Sequence, residues 1–121
     1  QGVLAGGREG LIVIDTSTIS PLTSRRVSTA LQRRGITYLD APISGGEGGA
    51  IAGTLAIMVG GAQAAYEQVL PVLQAIGQNI TYIGGSGAAL AVKLANNLIA
   101  AAQQVNKRVS HHEARVCAPN K

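Results

Sequence analysis

Lys93, Asn96 and Asn97 lie within Leu90-Ala-Val-Lys-Leu-Ala-Asn-Asn97, a cation and two carboxamides in an otherwise apolar stretch. Side chains three and four positions apart share a helix face, so Lys93 can work on one surface with both amides, leaving Leu90 and Leu94 to other faces. Polar groups set among alanine, leucine and valine need partners or a ligand, because an unpaired polar group is costly to bury. A lysine in an apolar site is also a group whose pKa can be brought toward neutrality, which proton transfer requires. The plainer alternative is a lysine whose stem runs along the helix to water.

Ser44-Gly45-Gly46 offers a second kind of chemistry. Consecutive glycines leave N–H groups uncovered and permit a concave turn that can hold an anion, with the serine hydroxyl as a further donor. The alternative is a flexible connection between strands. Ser17 and Thr18 could cap the helix that follows them. Asp15 and Asp40 each close an apolar run and read as acceptors of turn and cap hydrogen bonds rather than as a catalytic carboxylate pair. His111, His112, Glu113 and Cys117 match no standard ligand spacing, and adjacent histidines on a helix point about a hundred degrees apart, so no metal site is expected.

The elements that must position these residues alternate. Leu11–Asp15 is a short apolar run suited to a strand buried on both faces. A hydroxyl-rich loop and Pro21 then open a helix that should end at Gly35. Ile36–Ala41 is a second strand closed by Pro42, a glycine-rich loop spans residues 44–53, and Thr54–Val59 is a third strand. Residues 62–76 carry Tyr66, Val69, Leu70, Leu73 and Ile76 on one helical face, with Pro71 expected to bend or divide it. Asn79–Ile83 forms a fourth strand and a long helix runs from about Ser86 to Val105, before a polar, basic tail. Strands alternating with helices imply a mostly parallel sheet wrapped by helices. Only a loop separates the second and third strands, so one of them can run antiparallel. No internal repeat is present.

Composition narrows the class. Apolar residues make up 46% of the 121, with 16 glycines and neither Phe nor Trp, so the core must be built from small aliphatic side chains. The formal charge is +4. Most of it falls after Val105, where Lys107, Arg108, Arg115 and Lys121 outweigh Glu113. The only aromatics are Tyr38, Tyr66 and Tyr82, a poor basis for nucleic-acid binding, and none is expected. The single Cys117 and the lack of a long apolar run fit a reducing compartment, with the cytoplasm as default and no membrane partner. Gln1 stands first and a strand follows almost at once, so the chain reads as a fragment.

Four segments in order resemble the β-hydroxyacid dehydrogenases, the family of 3-hydroxyisobutyrate dehydrogenase and tartronate semialdehyde reductase. They are Ile14-Asp-Thr-Ser-Thr-Ile19, Asp40-Ala-Pro-Ile-Ser-Gly-Gly46, Gly53-Thr-Leu-Ala-Ile-Met-Val-Gly-Gly61 and Lys93-Leu-Ala-Asn-Asn97. The resemblance covers roughly residues 8 to 105, and the ordered set is more specific than any one motif. It implies an α/β fold: the second half of a Rossmann-type doubly wound sheet over residues 1–85, leading at 86–121 into the first long helix of an all-α domain with a divergent tail. The family's Gly-x-Gly-x-x-Gly turn has no counterpart before Leu11. Gly85-Ser86-Gly87 follows a strand and opens a helix but lacks the third glycine and the acid about twenty residues on.

The resemblance further implies NAD or NADP as cofactor and a small hydroxy-carboxylate as substrate. Lys93 would be the general base for the hydroxyl proton, Asn97 the amide that positions substrate and lysine, and Ser44, Gly45 and Gly46 the holders of the substrate carboxylate. Ser17 and Thr18 would lie near the nicotinamide ribose. Gly85 to Gly87 would let backbone approach the nicotinamide, with Ala89 where the family usually has glycine. The expected function is a piece of an oxidoreductase acting on a 3-hydroxy acid and its semialdehyde, inactive by itself. The competing readings are a non-catalytic carboxylate-binding module and an interaction protein exposing a sheet edge. A homo-oligomer of the longer protein stays open.

Overall fold

The computed structural model describes residues 2–116, with side-chain environments through residue 109. A short helix α1 (Val3–Gly6) precedes β1 (Ile12–Asp15), α2 (Pro21–Gln32), β2 (Thr37–Asp40), β3 (Ile43–Ser44), α3 (Gly46–Ala52), β4 (Ala56–Gly60), α4 (Gln63–Gln74), β5 (Asn79–Gly84) and α5 (Ala88–Val116). The α/β alternation is as the sequence predicts, and α1 is an addition to it.

β1 pairs in parallel with β2, from Ile12 opposite Thr37 to Asp15 opposite Asp40. β2 and β3 both lie antiparallel along one edge of β4, with Asp40 opposite Gly60, Ile43 opposite Ile57 and Ser44 opposite Ala56. They are therefore two pieces of a single strand path in one register, interrupted by buried Ala41 and Pro42. The Met58 N–H donates to the Pro42 carbonyl at 3.1 Å and carries the pairing across the break. β5 runs parallel to β4 on its other side.

Because strand side chains alternate, the sheet has two unlike faces. One carries Leu39, Ala41, Ile57 and Val59 against Ala65, Val69 and Leu73 of α4. The other carries Tyr38 and Val13 against Val27 and Leu31 of α2, with Ile36 beside them. No core residue is larger than Tyr38, so close approach of small side chains replaces bulk.

Three expectations need correction. Residues 44–53 are not an open loop: α3 occupies 46–52. Gly45 and Gly49 let this helix approach Leu55, where an added Cβ would lie 3.0 and 3.3 Å from the Leu55 Cδ2. Gly53, at φ 67°, ends it by returning its N–H to Ala50 and Gly49 carbonyls. α4 is not divided, running unbroken through Pro71 near its C-terminal end. α5 continues past Val105 to Val116, since the sequence has no glycine or proline between Gly87 and Pro119 to stop it.

Leu73 is fully buried whereas Ile51 is 81% exposed. Leu73→Ala should lower unfolding free energy by about 2–5 kcal/mol through the cavity left between α4 and the sheet. Ile51→Ala should change it by less than about 0.5 kcal/mol. Urea titrations followed by circular dichroism compare the two, and equal losses would contradict this core assignment.

Candidate functional site

Asp40 ends β2 and is 0% exposed. Its Oδ1 accepts from the Gly87 N–H at 2.7 Å and its Oδ2 from the Leu90 N–H at 3.3 Å. These are donors at the start of α5, which have no partner within the helix and sit at its electropositive end. A strand carboxylate thus caps a helix 47 residues further on. The sequence reading of Asp40 as a cap acceptor is right in kind, but the helix it caps is distant.

Two glycines make room for this contact. A Cβ at Gly60, directly across from Asp40, would come within 2.7 Å of the carboxylate. Gly87 has φ +82°, and a Cβ there would lie 2.9 Å from the Pro21 carbonyl oxygen. Arg25 closes the same corner from α2, donating Nε–H to the Ser86 carbonyl at 3.3 Å. The hydroxyls of Ser24 and Ser86 are buried here without a hydrogen-bond partner.

α5 packs across β4 and β5 only through its beginning. Ala89 and Leu90 are fully buried and Lys93 is 8% exposed, after which every residue to Val109 is exposed. Leu90 shares the buried flank with Lys93, contrary to the expectation that it faces elsewhere, because residues three apart lie within about sixty degrees. Asn96 and Asn97 are exposed, the helix having left the sheet by then. Among the described residues none forms a hydrogen bond with the Lys93 ammonium.

Ser44 lies half-buried at the end of β3, opposite Ala56. Two-residue alternation along the shared register puts Asp40, Pro42 and Ser44 on the face of the sheet that α5 covers, with Gly60, Met58 and Ala56 beside them. Gly45 and Gly46 follow at φ 137° and 60°, conformations that favour glycine, and both are exposed.

Ser17 and Thr18 sit exposed in the loop after β1. Neither caps α2: that falls to Ser20, whose hydroxyl accepts from the Leu22 N–H at 3.3 Å. The Ser17 N–H instead donates to Asp15 Oδ1 at 2.9 Å, and Tyr38 donates its hydroxyl to Asp15 Oδ2 at 2.7 Å. Burial pushes the Asp15 carboxyl upward, but the bonds from Ser17 and Tyr38 together outweigh it and leave its pKa below the usual value. Burial, the bond to Asp15 and the Asp15 charge all push the Tyr38 phenol well above its ordinary range. Sequence reasoning missed Tyr38, Arg25 and Gly60, whose partners are remote in the chain.

The histidine group considered above lies outside the residues whose side chains are described, and Cys117 outside the described residues altogether. No described helix is long and apolar enough to cross a membrane.

A twisted α/β sheet with helices on both faces and a long helix leaving it defines a Rossmann-type nucleotide-binding unit. Residues 1–84 match the NAD binding domain of 6-phosphogluconate dehydrogenase, and the chain belongs to that family. It is 45% identical over 98 residues to 2-(hydroxymethyl)glutarate dehydrogenase of Eubacterium barkeri, covering 81% of this chain and 33% of that protein. To 2-hydroxy-3-oxopropionate reductase of Escherichia coli it is 44% identical over 101 residues, covering 84% and 35%. The structure of Mycobacterium tuberculosis 3-hydroxyisobutyrate dehydrogenase with L-serine superposes with a TM-score of 0.86 at 39% identity, over 93% of this chain and 38% of that one. The chain thus spans about a third of the length of the relatives it matches, and the resemblance to hydroxyacid dehydrogenases stands.

Asp40→Ala leaves the Gly87 and Leu90 N–H groups without their acceptor and should cost about 2–4 kcal/mol of unfolding free energy, with Asp40→Asn costing less. Chemical denaturation measures both, and a near-neutral Asp40→Ala would refute the anchoring role. The Asp15–Tyr38 pair adds a pH signature. With its folded pKa lowered, Asp15 contributes stability above about pH 4 that is lost as pH falls. With its folded pKa raised, Tyr38 contributes stability below about pH 10 that is lost as pH rises. Tyr38→Phe should flatten the alkaline limb and weaken the acid one in thermal melts across pH.

Proposed function

We propose that this chain is part of an NAD- or NADP-dependent oxidoreductase that interconverts a small 3-hydroxy acid and its semialdehyde. The observation that carries the reading is Lys93, a cation 8% exposed with no hydrogen-bond partner among the described residues. Its stem is packed while its Nζ is not among the atoms sealed from water, so the ammonium stands where a ligand oxygen can reach it. The 40s-percent identity to dehydrogenases and reductases of small hydroxy and oxo acids points the same way.

Ser44, Gly45 and Gly46 would hold the substrate carboxylate, the positive φ of both glycines opening the turn's N–H groups. Ser44 lies four residues along the α5-side face from Asp40, about 13 Å. Lys93 lies six residues along α5 from Gly87, about 9 Å. Both distances start from one bonded corner, which supports the two groups sharing a substrate. Lys93 takes the substrate hydroxyl proton on Nζ in oxidation and returns it in reduction, while Asn97 orients the substrate from one turn further along.

The fit of these residues to a dinucleotide is partial. Exposed Ser17 and Thr18 offer donors to the nicotinamide ribose, but the sequence has no Gly-x-Gly-x-x-Gly turn to cradle a pyrophosphate. When bound, the nicotinamide accepts the hydride from the carbon bearing the hydroxyl. We divide the chain at 85/86: the sheet unit on one side, and on the other a helix whose exposed Leu94, Leu98, Val105 and Val109 form one stripe suited to packing in a helical domain. The Ser44-Gly45-Gly46 turn taken by itself also fits a second reading, a carboxylate-binding module without turnover.

Titration of 3-hydroxyisobutyrate into the 15N-labelled chain should shift the Ser44, Gly45 and Gly46 amides, and less so in Lys93→Ala. The chain alone should show no appreciable turnover and only weak NAD or NADP binding. In a form extended to the relatives' length, Lys93→Ala should lower kcat by about 10²–10⁴-fold with cofactor affinity kept. Near-normal turnover there would reject Lys93 as the base, whereas absent turnover in the unmutated long form would select the binding-module reading.

A further inference from the structure

Four of the chain's arginines, Arg25, Arg26, Arg33 and Arg34, fall between Asp15 and Asp40 in a stretch containing no acidic residue. All four are exposed. On a helical projection Leu22, Arg25, Arg26, Thr29 and Arg33 spread about a hundred degrees around the outward face of α2, opposite Ser24 and Leu31, which face the sheet. Together with Ala30 they line a groove of about 360 Å³.

A basic helix face is ordinarily solvated and balanced by carboxylates three or four residues away. Here the face is solvated but carries no carboxylate of its own to balance it. α2 offers no acid at any spacing, and among the described residues no carboxylate forms an ion pair with these arginines. The nearest acid along the strand, Asp15, already has its oxygens engaged by the Ser17 N–H and the Tyr38 hydroxyl. Arg25 is in addition held by its Nε–H on the Ser86 carbonyl, which fixes one guanidinium at the edge of the groove with its terminal N–H groups free of that bond.

We infer that this groove is a binding site for a small, soluble, multiply charged anion of the phosphate-ester or polyphosphate class, separate from the Lys93 region. Guanidinium forks match phosphate oxygens in bidentate fashion, and several unpaired forks around one groove favour a ligand with more than one anionic group. Arg26 and Arg33 are seven residues apart, about 10 Å along the helix axis, a span that two long side chains close around a di- or triphosphate. No aromatic residue lines the groove, so nothing there would stack a base, and its volume suits a small molecule rather than a nucleic-acid duplex. Thr29 contributes shape rather than a donor, because its hydroxyl already donates to the Arg25 carbonyl at 2.9 Å.

The test uses the 121-residue chain labelled with 15N and titrated with inorganic tripolyphosphate at constant ionic strength. Saturable amide shifts should appear at Arg25, Arg26, Thr29 and Arg33, and the combined variant Arg26→Gln, Arg33→Gln should weaken binding by about tenfold or more. Both side chains being exposed, that variant should keep the unmutated circular dichroism spectrum and melting temperature. Arg25→Gln provides a second, independent loss. The inference is overturned by shifts that do not saturate, by equal affinity in the double variant, or by shifts confined to Lys107 and Arg108. It is overturned equally if a DNA duplex binds the same residues and tripolyphosphate does not displace it.

Discussion

One buried carboxylate decides where the long helix begins. Asp40 is excluded from water and bonded to two backbone N–H groups of α5. Desolvating a charge costs several kcal/mol, and hydrogen bonds to a charged group return about 1.5–3 kcal/mol each. The two sides nearly balance, with the helix dipole tipping them. The contact therefore adds less to overall stability than to uniqueness: any placement of α5 that lost these bonds would strand an unpaired charge. Gly60 and Gly87 are consequences of the same demand, since a side chain at either would displace the carboxylate or the helix turn that meets it.

From that corner the burial of α5 can be followed residue by residue. Ala89, Leu90 and Lys93 descend onto β4 and β5, and beyond Lys93 the helix is exposed to Val109. Lys93 is thus the last residue the sheet covers, at a boundary between packed and open surface. That is where a lysine can have a packed stem and an ammonium still open to a partner. Burial one turn earlier would seal it in the core, and one turn later would leave it in water, as Asn97 is.

Much of this was legible in the sequence, for physical reasons. Short aliphatic runs ending at Asp15, Asp40 and Gly60 read as strands and are strands, although β1 is a half-buried edge rather than covered on both faces, and Gly35, at φ +67°, turns the chain just past α2. What escaped was whatever tertiary contact decides. α3 is hidden because its glycines argue against a helix locally, while their lack of side chains is what lets Leu55 pack against it. Of the hydroxyls before Pro21 that could cap α2, it is Ser20 rather than Ser17 or Thr18 that does, a choice among candidates that propensity leaves open. Asp40 looked like a residue serving its own turn before Pro42. Its real partners lie beyond β4, α4 and β5, and no local pattern announces them.

The segment from Leu39 to Gly46 shows why these features travel together. Leu39, Ala41 and Ile43 face the α4 core, while Asp40, Pro42 and Ser44 face α5. A slip of one residue along β4 would drive Asp40 into the aliphatic core and turn Leu39 toward the α5 N-terminus, a double penalty that fixes the register. The anchor of α5 and the position of the Ser44 turn are therefore a single structural variable. The buried aspartate and the proposed carboxylate-holding turn occur in one short motif because alternation along a strand lets one register set both the helix that carries Lys93 and the turn it would serve.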